Sequence, residues 1–231
     1  MPFLFAPPPQ AVLPVEGKKD LYFPLHRVYH IGHNYADHNK ELAAPDEPVI
    51  FLKPVDAVVP VKEGEVAELP YPPETSDYQH EIELVACLKS GGRNLTPEQA
   101  QAAIYGFAVG IDFTRRDWHL KLRGKGQTWE KGKTVDQGLP ITAIRPIERT
   151  PEISDGLSIW LYVNQDKKQD GNTKFMQHSV PELIAHLSKF WELKAGDIVF
   201  TGTPAGVGPV QKGDVVKGGV AGIGTLEVKI V

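Results

Sequence analysis

The sequence contains one cysteine, Cys87, among 231 residues, so no disulfide can form within the chain. A chain without disulfides is typical of a reducing compartment, and the cytoplasm is the simplest expectation. The sequence also lacks an apolar run long enough to span a membrane, and its start lacks the cationic and apolar segments of a secretory signal. With a net charge of −4 and no basic stripe, neither nucleic acid nor a membrane is an expected partner.

The composition is that of a globular protein, with 41% hydrophobic and 23% charged residues. Its 22 glycines and 20 prolines indicate many turns and short strands, which argues against a helical bundle. We therefore predict a β-rich α+β protein. Residues 1–25 are interpreted as a short amino-terminal arm and residues 26–231 as a single catalytic domain.

Three helices are predicted from capping patterns. Asn34 can cap a helix over about residues 36–42, and the segments starting at Thr96 and Ser179 combine capping-box spacing with an early proline. The helix after Thr96 is expected to stop before Gly106. Short apolar runs predict strands at residues 49–52, 82–88, 157–163, 198–201 and 226–231.

Glu81 and Glu83 lie one residue apart in an otherwise apolar run. In a strand, side chains alternate between faces, so both carboxylates point the same way together with Val85 and Cys87. Adjacent like charges are unfavourable unless something compensates them, and a divalent cation is a suitable compensator. The alternative is an exposed strand face with two solvated glutamates.

Asp112 ends a second apolar run, and charges in such runs are normally paired or bound to a metal. Together, Glu81, Glu83 and Asp112 would make an all-oxygen site suited to Mg²⁺ or Mn²⁺, with Ca²⁺ also admissible. The alternative is that Asp112 caps a helix or pairs with Arg115 or Arg116.

Three further segments carry residues that could take part in catalysis or substrate binding. His38 and Glu41 are three residues apart on the first predicted helix, where a carboxylate-held histidine can activate water or simply form a surface pair. The loop at 124–133 carries three lysines, including Lys133, that could meet developing negative charge or be solvated. Thr203 lies in a glycine-rich loop that offers amides to a carboxylate or forms a turn.

The order of these motifs resembles that of the fumarylacetoacetate hydrolase family, from about residue 26 to the end of the chain. The motifs that carry the resemblance are Asn34-Tyr35-Ala36-Asp37-His38 with Glu41, Phe51-Leu52-Lys53-Pro54, His80-Glu81-Ile82-Glu83-Leu84, Asp112-Phe113-Thr114-Arg115-Arg116-Asp117, Lys133, and Thr201-Gly202-Thr203-Pro204 with Gly206-Val207-Gly208.

The resemblance implies a mixed β-sandwich roll with peripheral helices, usually assembled as a homodimer. It implies that Glu81, Glu83 and Asp112 ligate Mg²⁺ or Mn²⁺ and that His38 with Glu41 activates water. Lys133 would sit beside metal and substrate. Substrate contacts are expected from Arg116, His119 and Thr203.

The chain is also similar in length to the family's small bacterial acylpyruvate hydrolases, particularly those acting on fumarylpyruvate in aromatic catabolism. The implied reaction is metal-dependent cleavage of a carbon–carbon bond in a small 1,3-diketo acid. The sequence departs from the family's pattern at two positions expected to face the substrate, which bears on the identity of the acyl group. His33 stands where many relatives have arginine, and His119 replaces a frequent glutamine. Oxaloacetate decarboxylation, isomerisation of a 2-hydroxyhepta-2,4-diene-1,7-dioate type, and non-catalytic binding remain alternatives.

Overall fold

The computed structural model describes residues 3–35 and 47–231, and within them it is rich in strands. The strands are β1 Val12–Pro14, β2 Tyr22–Pro24, β3 Val28–Gly32, β4 Val49–Lys53, β5 Val58–Pro60, β6 Val66–Leu69, β7 Tyr78–His80, β8 Ile82–Leu88, β9 Ile104–Ile111, β10 Thr114–Arg115, β11 Leu139–Ile141, β12 Arg145–Pro146, β13 Ser158–Val163, β14 Asp166–Asn172, β15 Ile198–Phe200, β16 Gly208–Val210, β17 Val215–Val220 and β18 Gly224–Ile230. The α-helices are α1 Pro97–Ala103, α2 Arg116–Arg123, α3 Glu130–Lys133 and α4 Val180–Phe190.

The largest sheet has the order β4-β3-β15-β8-β9-β11-β5, with β12 also paired to β9. Most neighbours are antiparallel, but β15 runs parallel to β3 and antiparallel to β8, so it joins two strands that are distant from it in sequence. Strand β15 therefore lies between β3 and β8, and β9 lies on the other side of β8.

Strand β8 shows the alternation predicted from its sequence. Ile82 and Leu84 face the larger hydrophobic core, whereas Val85 and Cys87 face a second core cluster on the other side of the sheet. Both faces of this strand are therefore covered, which is why its residues are apolar almost without interruption.

A second sheet, with the order β14-β13-β17-β18-β6, lies over the first, and its inward residues Ile159 and Val228 share the larger core with Ile82. A small third sheet, β10-β7-β16, leads into the segment that carries Glu81. The predicted β-rich α+β sandwich roll with peripheral helices is confirmed.

Two of the three predicted helices are confirmed with their caps. Thr96 and Gln99 form a capping box at α1, and Ser179 and Glu182 form one at α4. Helix α1 ends at Ala103, where β9 begins directly. The helix predicted over about residues 36–42 lies outside the described residues.

The predicted amino-terminal arm contains the antiparallel hairpin of β1 and β2. Its Leu13 and Phe23 are buried in the second core cluster beside Val28 and Val85. The hairpin thus covers one face of the largest sheet. In the described part of the chain, no helix is long and apolar enough to cross a membrane.

Candidate active site

Glu81 and Glu83 are both buried, with 7% and 2% of their surface exposed. Glu83 lies within β8, and Glu81 directly precedes that strand. Burial excludes the reading of these residues as a solvated strand face. Two carboxylates held this close inside the protein need nearby positive charge or a bound cation.

Asp112 lies beside them because β8 and β9 are antiparallel with Ile82 opposite Ile111. Its amide donates a hydrogen bond to the Glu81 carbonyl oxygen at 2.8 Å, and its side chain is fully buried. The structure thus brings together all three acids predicted from the sequence.

The alternative that Asp112 caps a helix or pairs with Arg115 or Arg116 is wrong. Helix α2 is preceded by Arg115. Asp112 pairs instead with Lys53 through Oδ1 and with Lys133 through Oδ2 at 3.3 Å. Its carboxylate is therefore anchored by buried cations from β4 and α3.

Of the three lysines in the 124–133 loop, only Lys133 is buried. Its Nζ donates to Glu81 Oε2 at 2.8 Å and to Thr114 Oγ1 at 3.0 Å. A Cβ added at Gly132 would lie 2.6 Å from the backbone nitrogen of His119, so α3 packs directly against α2 at this glycine. This close approach holds Lys133 over the acids.

Cations dominate the environment of two of the acids. Burial raises the pKa of Glu81, but the charges of Lys133 and Arg116 outweigh burial and lower that pKa to about 2. Burial also acts to raise the pKa of Asp112, yet Lys133 and Lys53 hold it well below its ordinary value. Both residues are therefore carboxylates at neutral pH.

Glu83 has the opposite balance. Burial, followed by the negative charges of Asp112 and Glu81, raises the pKa of Glu83 well above its ordinary value. Its Oε2 accepts a hydrogen bond from the Gly202 amide at 2.6 Å, but no lysine or arginine of residues 3–35 and 47–231 forms an ion pair with it. A divalent cation would supply the missing positive charge, so the residues present fit a metal site.

The donor atoms that lie closest together include one residue that sequence reasoning missed. An oxygen of Glu83, an oxygen of Asp112 and a ring nitrogen of His30 all lie within 4.8 Å of one another. Glu81 is not in this group of donors, and its oxygens pair with Arg116 and Lys133. The burial of His30 lowers its pKa to about 4, despite the opposing effect of Asp112.

A cavity of about 60 Å³ opens beside the acids. It is lined by Arg116, His119, Lys133 and Thr203, the four substrate-side residues predicted from the sequence that the structure describes, and by His33, whose φ is +60°. An apolar groove of about 370 Å³ adjoins it and shares Phe51, Trp129 and Lys133 with it. A larger cavity of about 710 Å³ beside α4 contains none of the predicted site residues.

Arg116 determines the tautomer of His119. The guanidinium carries only donors, and its Nη1 lies 3.0 Å from His119 Nδ1, so Nδ1 accepts and the ring proton resides on Nε2. Burial, together with the charges of Lys133 and Arg116, lowers the pKa of His119 to about 3. The Nε2 donor is buried and has no hydrogen-bond partner among the described residues. It is thus available to an acceptor in the cavity.

Gln169, which sequence reasoning also missed, holds the loop of Thr203 against β8. Its amide nitrogen donates to Thr203 Oγ1 at 2.8 Å and to the Pro204 carbonyl at 2.9 Å. Its oxygen accepts from the Ile82 amide at 3.1 Å and lies 3.0 Å from His80 Nδ1. Thr203 Oγ1 in turn donates to the Ile82 carbonyl at 2.7 Å. The hydroxyl of Thr203 is therefore engaged within the protein.

Replacing Gln169 with Leu should destabilise the protein strongly. The change leaves the Ile82 amide and the Thr203 loop without their buried partner, and unsatisfied buried groups cost about 1–3 kcal/mol each, so we expect a loss of about 2–5 kcal/mol. Urea denaturation measures the free energy of unfolding of the variant and of the wild type. Leucine at the exposed Gln211 is the matched control and should change stability by less than about 0.5 kcal/mol. Equal stability of both variants would show that the Gln169 network contributes little.

The predicted dyad of His38 and Glu41 lies outside the described residues. Lys53, in contrast, is described and buried, and its Nζ donates to Asp112 and to the Phe113 carbonyl at 3.0 Å. The signal for Lys53 was present in the sequence, because a lysine that ends an apolar strand before a proline is unusual unless it is paired.

The chain matches the family model described as fumarylacetoacetate (FAA) hydrolase C-terminal over residues 27–231. It is 39% identical over 196 residues to an oxaloacetate tautomerase of Escherichia coli K12, covering 84% of this chain and 88% of that protein. It is 35% identical over 201 residues to a mitochondrial oxaloacetate decarboxylase of Dictyostelium discoideum, covering 86% of this chain and 90% of that protein.

Among solved structures, the fold is similar to a fumarylpyruvate hydrolase of Pseudomonas aeruginosa crystallised with Mn²⁺ and pyruvate. The two chains are 41% identical with a TM-score of 0.95, and the alignment covers 100% of this chain and 99% of the other. Similarity of this extent covers the whole fold.

Proposed function

Because the chain belongs to the fumarylacetoacetate hydrolase C-terminal family, we propose that it is a divalent-metal-dependent hydrolase of acylpyruvates, with fumarylpyruvate as the first substrate to test. The observation that carries this proposal is the arrangement around the small cavity. Three buried acids, Glu81, Glu83 and Asp112, lie beside Lys133 and Arg116 where a substrate of several oxygens would enter. The similarity to a fumarylpyruvate hydrolase supports the choice of acyl group.

Glu81, Glu83 and Asp112 would hold Mg²⁺ or Mn²⁺, with Ca²⁺ as a weaker fit to the reaction. The ion, when bound, supplies Lewis-acid stabilisation of negative charge on substrate oxygens. Once Glu81 serves as a ligand, the Arg116 guanidinium that pairs with it here becomes available to the distal carboxylate of a fumaryl group, which it can bind through two parallel hydrogen bonds.

Hydrolysis adds water across the bond between the acyl carbonyl carbon and the methylene carbon of the pyruvate unit. His38, oriented by Glu41, takes a proton from water, whose oxygen bonds to the acyl carbon. The carbon–carbon bond then breaks, and its electron pair forms the enolate of pyruvate. Lys133, whose Nζ lies 2.8 Å from Glu81 Oε2, would stabilise that enolate. Protonation of the enolate carbon gives pyruvate and leaves the acyl group as a carboxylic acid.

His119 and the Thr203 loop would orient the substrate. In the tautomer that Arg116 favours, His119 carries its proton on Nε2 and would donate it in a hydrogen bond to a substrate oxygen. This role does not require a positively charged ring. The amides of the Thr203 loop would donate hydrogen bonds to the pyruvate carboxylate. The apolar groove beside Phe51 and Trp129 provides room for the acyl chain.

Oxaloacetate chemistry is the second candidate, since two relatives over most of the chain are an oxaloacetate tautomerase and an oxaloacetate decarboxylase. Tautomerisation and decarboxylation need a stabilised enolate but no attack by water. Purified protein should be assayed with fumarylpyruvate, simpler acylpyruvates and oxaloacetate, with Mg²⁺ and then with chelator. Chelator-sensitive release of pyruvate from fumarylpyruvate supports the proposal. Conversion of oxaloacetate without acylpyruvate cleavage would replace it, and turnover of neither would favour a binding protein.

We expect the protein to be a homodimer at micromolar concentration, as the family resemblance implies. Sedimentation velocity at several protein concentrations measures the assembly. A dimer of twice the 25.5 kDa chain mass is the expected species throughout the range. A monomer at every concentration would contradict the expectation without affecting the proposed reaction.

A further inference from the structure

Three residues of helix α2 face the small cavity beside the acids. Arg116, His119 and Arg123 all line this cavity, and they follow one another at intervals of three and four residues. Side chains at this spacing lie on one face of a helix. A row of two guanidinium groups and one imidazole therefore follows the cavity wall, from the partner of Glu81 at the start of α2 to the last residue of that helix.

Arg123 differs from the other cations of the cavity because it has no acid partner. Arg116 and Lys133 are both paired with Glu81. Arg123 is half-buried, yet no carboxylate of residues 3–35 and 47–231 forms an ion pair with it. A basic residue in the last turn suits the helix dipole, but the dipole does not require its side chain to line a cavity. A half-buried guanidinium without an acid is suited to binding an anionic ligand.

His119 supplies a second unused donor next to Arg123. Its Nε2 carries the ring proton, is buried, and has no hydrogen-bond partner in the described part of the chain. His119 and Arg123 are four residues apart, so their side chains are neighbours on the helix surface. Because buried polar atoms are nearly always satisfied, this donor requires an acceptor from a ligand or from water. A neutral N–H group beside a guanidinium is suited to a carboxylate.

Aromatic side chains form the cavity wall next to this row. Trp129 contacts His119 edge to face, with ring centroids 4.9 Å apart, and it contacts Phe51 with centroids 5.8 Å apart. Both Trp129 and Phe51 line the cavity and the adjoining apolar groove. From Arg116 to Arg123 the helix axis advances by about 10 Å. A row of this length suits an acyl group that carries its own charge at the far end better than it suits an acetyl group.

We propose that Arg123 and His119 form a subsite for the terminal carboxylate of the acyl group, and that Arg123 selects dicarboxylic acylpyruvates over those with an uncharged acyl end. This inference rests on the proposed acylpyruvate hydrolysis and names its substrate class. Arg116 contributes from the side of the acids, but its Nε and Nη1 are held by Gln79 and His119. Arg123 can direct both arms of its guanidinium fork at the carboxylate.

Cleavage of fumarylpyruvate and of acetylpyruvate by the same variants tests the subsite. In Arg123→Gln we expect kcat/KM for fumarylpyruvate to fall by about 10- to 100-fold, the range that corresponds to a hydrogen bond with a charged group. The loss should appear mainly as a higher KM, because the terminal carboxylate takes no part in bond breaking. The value for acetylpyruvate should stay close to that of the wild type. Arg123→Lys keeps the charge without the fork and should recover part of the loss.

The matched control is Lys121→Gln, which removes one positive charge from an exposed position of the same helix. It should leave the cleavage of both substrates unchanged, which separates a local contact from a change in net charge. Thermal unfolding checks that each variant is folded. An equal fall for both substrates in Arg123→Gln would show a structural role and overturn the proposal. Unchanged cleavage of fumarylpyruvate by that variant would also overturn it.

Binding measurements distinguish failure of the subsite from failure of the proposed function. Calorimetry with each compound compares the wild type and Arg123→Gln, both supplied with Mn²⁺, and uses the His38→Ala background if the compounds are turned over. We expect Arg123→Gln to lose affinity for fumarylpyruvate but not for acetylpyruvate. If this difference is found and the wild type cleaves neither compound, the subsite stands and the hydrolase proposal fails. A wild type that binds both compounds equally well, or binds neither, would overturn the subsite.

Discussion

Glu83→Gln should abolish metal-dependent activity while the protein remains folded. Glu83 is the one acid of the triad for which the described residues show no lysine or arginine ion pair, and the substitution removes its charge from the proposed ligand set. The carbonyl oxygen of the new side chain can still accept the Gly202 amide hydrogen bond, so the loop should be retained. Calorimetry with Mn²⁺ measures the loss of metal affinity. The release of pyruvate from acylpyruvates measures the loss of activity.

Without metal, Glu83→Gln should be more stable than the wild type, although its metal affinity and activity are lower. The pKa of Glu83 is raised in the folded protein, so the folded state binds its proton more tightly than the unfolded state does. The ionised residue therefore destabilises the fold as pH rises from its unfolded pKa through its folded one. A glutamine side chain cannot ionise, and we expect a higher thermal midpoint for the variant at pH 7 without metal.

The matched control for this variant is Glu68→Gln, at an exposed position on β6. It should change neither metal affinity nor the metal-free midpoint. Unchanged Mn²⁺ affinity in Glu83→Gln would remove this residue from the metal site and with it the proposed triad.

The second large effect is expected for His38→Ala, which should lower acylpyruvate hydrolysis by about 10²–10⁴-fold, the usual contribution of a general base. Conversion of oxaloacetate should fall less, because tautomerisation and decarboxylation need no activated water. Comparing the two rates in one preparation tests the role of His38 independently of protein concentration.

Mn²⁺ binding by His38→Ala should equal that of the wild type, which distinguishes loss of a base from loss of the metal. Replacing His186, a half-buried histidine of α4, is the control for removing an imidazole elsewhere. If metal is bound and hydrolysis continues at the wild-type rate, another group activates the water and the assignment of His38 with Glu41 is wrong.

Local patterns in the sequence predicted the parts of the site that depend on neighbouring residues. Alternation within one strand placed Glu81 and Glu83 together, and two capping boxes located α1 and α4. Asp112 was predictable because an apolar run that ends in an acid stands out. These signals extend over fewer than about ten residues, the range in which periodicity is informative.

The partners of these acids could not be predicted in the same way. Lys53 reaches Asp112 from β4, and His30 comes close to Glu83 and Asp112 from β3, although β15 lies between β3 and β8. Strand order of this kind depends on contacts between distant segments. Lys133 appeared to lie in a flexible loop, since a helix of four residues has too few positions to show a period.

The position of β15 also has a consequence for folding while the chain is being synthesised. Residues 198–200 form the strand that joins β3 to β8, so a nascent chain that has emerged only as far as β9 has an unpaired edge on each of these strands. Closing such long-range pairs is slow relative to local contacts. The carboxylates of Glu81 and Glu83 are thus translated long before the strand that encloses them, and a ribosome that stalls between residues 112 and 198 would present an incomplete sheet to chaperones.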